Sequence, residues 1–172
     1  AGRTMVVARD ECLLTLRRPM IWTLLALLLL MSWGLSEGFV QVVLGSGDAS
    51  VGGKKAFVTS QFAIAQLMTV FTFSIYTFFV AAAAGLSVIR DDEARALEVL
   101  LSTPLRPAEY AWGKFAGVTA ALMVVLAIHL LALMVFLSWL PNADMQESRG
   151  PFALGNYLVP AFAIAVPTIV FM

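Results

Sequence analysis

The sequence predicts an all-α integral membrane protein built as a bundle of several spanning helices. Hydrophobic residues make up 60% of the chain and charged residues 13%, whereas soluble domains have about 45–50% and about 25%. The mean hydropathy is +0.89, and the charges are gathered into short segments between long uncharged runs. This composition excludes an ordinary soluble domain. The formal net charge of +0 provides no basic field that would attract nucleic acid.

The N-terminal segment, residues 4–18, is predicted to be a helix lying in the membrane interface, and Pro19 marks the turn that follows it. A secretory signal peptide is the alternative, but the apolar run over 20–36 is long and no small-residue cleavage pattern closes it. Along the helix, apolar residues share one side and charged residues lie largely elsewhere: Met5, Val6, Cys12, Leu13 and Leu16 against Arg9, Asp10, Glu11, Arg17 and Arg18.

Four apolar runs are each long enough to cross a bilayer, which takes about 20 residues. We expect one membrane domain over 1–172, with span one at 20–44, span two at 57–89, span three at 115–140 and span four at 152–172. A glycine-rich and serine-rich loop, 45–55, separates the first two spans, and polar residues 141–151 precede the fourth. Because the last run ends at Met172 without a polar flank, we expect the sequence to be a fragment of a longer chain.

The segment between spans two and three, residues 90–114, carries nine charges: Arg90, Asp91, Asp92, Glu93, Arg95, Glu98, Arg106, Glu109 and Lys114. One charge at the centre of a spanning helix costs about 2.5–3.5 kcal/mol, so this segment must lie in water. Acidic residues followed by leucines at helical spacing predict a short amphipathic helix that Pro104 ends. Pro107 and Glu109 predict a second helix that starts there and runs into span three.

The Lys and Arg residues predict the orientation. Eight lie in the N-terminal segment and the 90–114 segment, and three (Lys54, Lys55 and Arg149) lie in the other two loops. The positive-inside rule therefore places the N-terminus and the 90–114 segment in the cytoplasm.

The run AAAAGLSVIRDDEARALEVLLSTPLRPAEYAWGKFAG, residues 81–117, resembles the cytoplasmic corner of permease subunits of type-2 ABC exporters. SQF at 60–62, the STPLR motif, and Trp-Leu-Pro followed by Gly-Pro-Phe are similar to permease segments that open long bacterial chains ending in a zinc aminopeptidase-like domain. The chain departs from these patterns because it has no HExxH motif and fewer than the usual six spans. No peptidase activity is assigned to it.

The resemblance implies that residues 91–112 form a coupling region that docks on an ABC ATPase subunit, and that the permease pairs with a second copy or a homologue in the bacterial cytoplasmic (inner) membrane. The chain itself would be no enzyme and would hold no cofactor, with ATP and magnesium on the ATPase. The implied partner-binding residues are Glu93, Arg95, Leu97, Glu98, Leu101 and Arg106. The alternative is that these charges are merely solvated.

His129 interrupts span three and is a candidate functional residue inside the membrane. With no Asp, Glu or second His in its span, the alternative is a neutral hydrogen-bonding group. Cys12 is the chain's single cysteine, which excludes an internal disulfide.

Two other classes of function stay open: an ion-driven transporter or channel, and a membrane anchor or intramembrane enzyme. An ion-driven transporter or channel would need charged or broken-helix sites at mid-membrane, and span two carries no charge. An intramembrane enzyme would need a nucleophile and base, and no spacing suggests such a pair. The spans could instead anchor a peptidase-like or other soluble domain of a larger protein.

Overall fold

A computed structural model describes residues 2–37, 50–51, 54–55, 59–93, 106–140 and 150–171 of the chain. These residues are almost entirely helical, and four of their helical segments are long and apolar enough to cross a membrane. The predicted all-α membrane bundle is confirmed. In a bilayer core the backbone must satisfy its own hydrogen bonds, which is why each uncharged run becomes a helix.

Helix α1, Gly2–Leu16, covers the predicted interfacial segment, and helix α2, Pro19–Ser36, forms span one. Pro19 takes the first helical position, where its missing N–H removes no helical hydrogen bond. Glu37 follows the last turn of α2 and donates its backbone N–H to the Trp33 carbonyl at 3.1 Å. The predicted continuation of this span to residue 44 lies, past Glu37, outside the described residues.

The predicted flexible loop 45–55 contains a minimal antiparallel ladder. Strand β1, Ser50–Val51, pairs with strand β2, Lys54–Lys55, with Ser50 opposite Lys55. Gly-Gly separates the two strands in the sequence, and this dipeptide is favoured in two-residue hairpins.

Span two consists of helix α3, Gln61–Phe71, a π-helical turn, Thr72–Tyr76, and helix α4, Thr77–Glu93. The Ser60 hydroxyl accepts a hydrogen bond from the Ala63 backbone N–H at 3.3 Å and so caps the start of α3. The π-helical turn widens the helix in the middle of the span.

Helix α5, Pro107–Ser138, contains span three and has 32 residues. Its start at Pro107 confirms the predicted second helix of the charged segment. The Glu109 carboxylate accepts a hydrogen bond from the Arg106 backbone N–H at 3.2 Å, which satisfies a donor at the helix start. At 1.5 Å per residue the helix is about 48 Å long, well above the roughly 30 Å of the hydrocarbon core. About three turns must therefore extend beyond the core.

Span four consists of helix α6, Leu154–Pro160, a π-helical turn, Ala161–Ala165, and helix α7, Val166–Phe171. Pro160 lies within this run without ending it. The wider turn directly after the proline accommodates the missing backbone donor, as neighbouring helices and local adjustments allow in a membrane.

Helix α5 is central: it packs against α1, α2, α4 and α7, while α3 packs against α6. One apolar core joins all four spans. Its buried side chains include Leu24 and Leu28 from span one, Ile64 and Met68 from span two, Leu122 and Leu133 from span three, and Tyr157 and Ile169 from span four.

Candidate functional site

The residues predicted to bind a partner fall at the two ends of the charged segment and in its middle. Glu93 is the last residue of α4, and Arg106 directly precedes α5 with its side chain exposed. Arg95, Leu97, Glu98 and Leu101 lie outside the described residues. The predicted coupling region 91–112 thus begins and ends inside the helices of spans two and three.

Helix α1 packs closely against the first turns of α5, where two glycines face it. A Cβ atom at Gly117 would lie 2.6 Å from the Ala8 carbonyl oxygen, and one at Gly113 would lie 2.8 Å from the Val7 Cβ. Both distances are shorter than side chains tolerate, so only glycine permits this approach. The Gly-x-x-x-Gly spacing places both residues on one face of α5, a pattern common at close helix contacts in membranes.

A buried ion cluster lies at the same contact. The Glu11 side chain on α1 is 4% exposed, and its carboxylate oxygens lie 3.9 Å from the Arg18 guanidinium and 3.9 Å from the Lys114 ammonium. Arg18 directly precedes span one, and Lys114 lies between the two close-packed glycines of α5. One carboxylate therefore joins α1, the start of span one and the start of span three. Removing one member of such a buried set leaves the others without full charge compensation.

This cluster was not predicted from the sequence, which placed Glu11 among the charged residues that lie largely away from the apolar side of the interfacial helix. The structure instead turns Glu11 inward, against α5. The Gly113-x-x-x-Gly117 spacing was the sequence signal for a helix contact here. The predicted contact face was the run 81–87, where Ala83 is buried but Gly85 has open space around its Cα.

His129 lies inside the bundle, fully buried between spans two and three. Its Nδ1 lies 3.2 Å from the Tyr76 hydroxyl, which is within hydrogen-bonding distance, and the Phe71 ring packs edge-on at 5.2 Å between ring centroids. Tyr76 and Phe71 lie at the end and just ahead of the π-helical turn, which brings both to the same side of span two. His129 Nε2 has no hydrogen-bond partner among the described residues. The imidazole thus joins two spans through a polar contact in an apolar core.

At the other end of the bundle, polar contacts hold the start of span two against the start of span four. The Thr59 hydroxyl accepts a hydrogen bond from the Gly150 N–H at 3.0 Å, and the Asn156 amide donates to the Thr59 carbonyl at 2.9 Å. Nearby, the buried Ser138 and Tyr157 hydroxyls lie 2.6 Å apart. These contacts position the helix ends.

Within the described part of the chain, no group of three or more His, Cys, Asp or Glu side chains is placed to hold a metal ion.

Comparison with known proteins identifies the family of the chain. The model of the ABC-2 family transporter protein matches residues 5–172. No curated protein and no solved structure shows significant similarity to the chain. The match covers nearly all of the sequence, including α1, the charged segment and all four spans. The chain therefore belongs to the ABC-2 family of transporter proteins, and it is a multi-pass membrane permease component of an ABC transporter.

Proposed function

We propose that this chain forms half of the permease of an ATP-driven exporter, and that its residues 91–112 dock on a separate ABC ATPase subunit. Membership of the ABC-2 family over residues 5–172 is the observation that carries the proposal. The sequence has no Gly-x-x-x-x-Gly-Lys-Ser/Thr loop, so ATP and magnesium would be held by the ATPase. The contacts would come from Glu93, Arg95, Leu97, Glu98, Leu101 and Arg106.

The continuous helix α5 supports a mechanical coupling between the docking segment and the membrane. It begins at Pro107, inside the charged segment, and continues to Ser138 at the far end of span three. A helix transmits displacement along its axis because each turn is hydrogen-bonded to the next. Closure of the ATPase would therefore move span three directly. The close contact of α1 with α5 at Gly113 and Gly117 would transmit the same displacement to α1. The ion pair between Glu11 and Arg18 would transmit it from α1 to span one.

We place the protein in the bacterial cytoplasmic membrane, with its N-terminus and residues 91–112 in the cytoplasm. The eight Lys and Arg residues of those two segments support this orientation. The half-permease would pair with a second copy or a homologue to complete the transport path. The similarity of SQF and STPLR to aminopeptidase-linked permeases further suggests that a zinc aminopeptidase-like domain follows in the same reading frame, which sequencing of the full gene would decide.

The test is a mild-detergent purification of the complete tagged protein from its own cells, followed by mass spectrometry of the soluble proteins that accompany it. We expect an ABC ATPase to accompany the wild type and to be lost from the Glu98→Arg variant, because a reversed charge in the docking surface opposes association. The matched control is Arg149→Glu, a charge reversal in the loop placed on the opposite side of the membrane, which should retain the ATPase. Purification without any ATPase, or equal loss from both variants, would contradict the proposal.

A further inference from the structure

The outward face of helix α1 combines cations with exposed apolar side chains. Arg9, Leu13 and Arg17 follow at intervals of four residues and are all exposed. Arg17 directly follows the helix and donates its N–H to the Leu13 carbonyl at 3.2 Å, so the three side chains form one stripe along α1 and its end. The two guanidinium groups start from Cα atoms about 12 Å apart along the axis. Met5 and Val6 on the same helix are 77% and 60% exposed. Water is an unfavourable surrounding for the apolar side chains of this face, and hydrocarbon is unfavourable for its guanidinium groups.

The fold also removes negative charge from this face. Helix α1 has two acidic residues, Asp10 and Glu11, and Glu11 points inward, where Arg18 and Lys114 neutralise it. Asp10 is the acidic side chain that α1 leaves exposed, and Arg9 and Arg17 outweigh it.

The position of α1 identifies what covers this face. The helix ends at Leu16, and only two residues separate it from Pro19, where span one begins. Its inner face is held on the turns of α5 where Gly113 and Gly117 lie. The helix thus lies at the level where span one enters the membrane. Basic amphipathic helices at this level bind through buried apolar area and through attraction to anionic headgroups.

We propose that the outward face of α1 is a binding surface for anionic phospholipids, in which Arg9 and Arg17 contact headgroup phosphates and Leu13 inserts between the acyl chains. The surface discriminates between lipids because a zwitterionic headgroup carries its own cation beside the phosphate and competes with the guanidinium groups. The bound lipid stabilises the position of α1. Because α1 packs closely against α5 at Gly117, the lipid also influences the position of span three.

The experiment titrates the full-length protein, in mild detergent, with phosphatidylglycerol and in parallel with phosphatidylcholine, and it counts bound lipids by native mass spectrometry. For the wild type we expect preferential retention of phosphatidylglycerol. In the Arg9→Gln/Arg17→Gln variant its affinity should fall by about 25-fold, roughly fivefold per cation. The affinity for phosphatidylcholine should stay unchanged.

Two matched variants distinguish the effect of charge on lipid binding from an effect on folding. Arg9→Lys/Arg17→Lys keeps both charges and should retain the preference for phosphatidylglycerol, whereas Asp10→Asn removes the exposed acid and should strengthen it. All of these side chains are exposed, so the variants should elute as folded protein. The proposal is overturned if the glutamine variant binds phosphatidylglycerol as the wild type does. It is also overturned if the variant loses a soluble protein while its lipid binding stays the same, because the face would then be a protein contact.

Discussion

Glu11 illustrates how one residue can set the geometry of a membrane protein at one end of its helical bundle. A carboxylate removed from water is costly unless cations compensate it, and Arg18 and Lys114 do so at 3.9 Å each. These cations lie on different parts of the chain, ahead of span one and on α5. The energetic requirement to compensate one buried charge thus fixes three segments relative to one another.

We predict that Glu11→Gln lowers the free energy of unfolding by about 1–3 kcal/mol, because Arg18 and Lys114 would face each other without the carboxylate. The lower part of this range is expected, since both cations can extend toward water or headgroups. Asp10→Asn, at the exposed neighbouring position, should stay within about 0.5 kcal/mol of the wild type. Unfolding by titration with SDS measures both variants. Equal effects of the two substitutions would show that the cluster contributes nothing specific.

Among elements, α1 and α5 form the closest described contact, and that contact depends on the absence of side chains at two positions of α5. Bilayers supply little hydrophobic driving force between helices, so close van der Waals packing carries much of the association. The close approach also brings Glu11 within reach of Lys114. Packing and charge compensation at this contact therefore support each other.

Substitution of Gly117 by Ala should destabilise the protein by about 1–3 kcal/mol, because the new Cβ would lie 2.6 Å from the Ala8 carbonyl oxygen and would force the two backbones apart. Gly85→Ala is the matched control: it lies in another helix, and a Cβ there meets nothing within 4 Å. That control should be neutral or stabilising by up to about 1 kcal/mol. Thermal unfolding of the two variants in the same detergent compares them. A Gly117→Ala protein as stable as the control would disprove the close contact between α1 and α5.

The elements themselves were largely predictable from the sequence, whereas their contacts were not. Long uncharged runs must become helices in a bilayer, and Pro107 with Glu109 marked the start of α5. The inward orientation of Glu11 depends on which helix meets α1, and periodicity within one segment carries no such information. The same holds for His129, whose contact with Tyr76 requires the register between two spans and the π-helical turn at Thr72–Tyr76.

Across the whole molecule, the distribution of charge distinguishes one end of the helical bundle from the other. The buried ion cluster and the charged segment lie at one end of span three, and the contacts of Thr59 with Gly150 and Asn156 lie at the start of spans two and four. On the proposed orientation the first end is cytoplasmic and receives the ATPase. The second end, where Thr59 contacts Gly150 and Asn156, faces outward.

Labelling of single cysteines tests this orientation. In a Cys12→Ala background, Lys54→Cys should react with a membrane-impermeant maleimide in intact cells, because the 45–55 loop is placed outside. Arg106→Cys should react only after permeabilisation; its side chain is exposed, so a lack of reaction in intact cells would reflect the membrane barrier. The reverse pattern would place the N-terminus outside and would remove the ATPase from reach of the 91–112 segment.

Docking of an ABC ATPase on the charged segment between spans two and three can be tested with a photo-crosslinking amino acid at Glu98 of the complete protein, irradiated in living cells. The same probe at Trp139, at the far end of span three, is the control. We expect a covalent adduct with an ABC ATPase, identified by mass spectrometry, to form from position 98 and not from position 139. Absence of any ATPase adduct at position 98, in cells that express the complex, would contradict it.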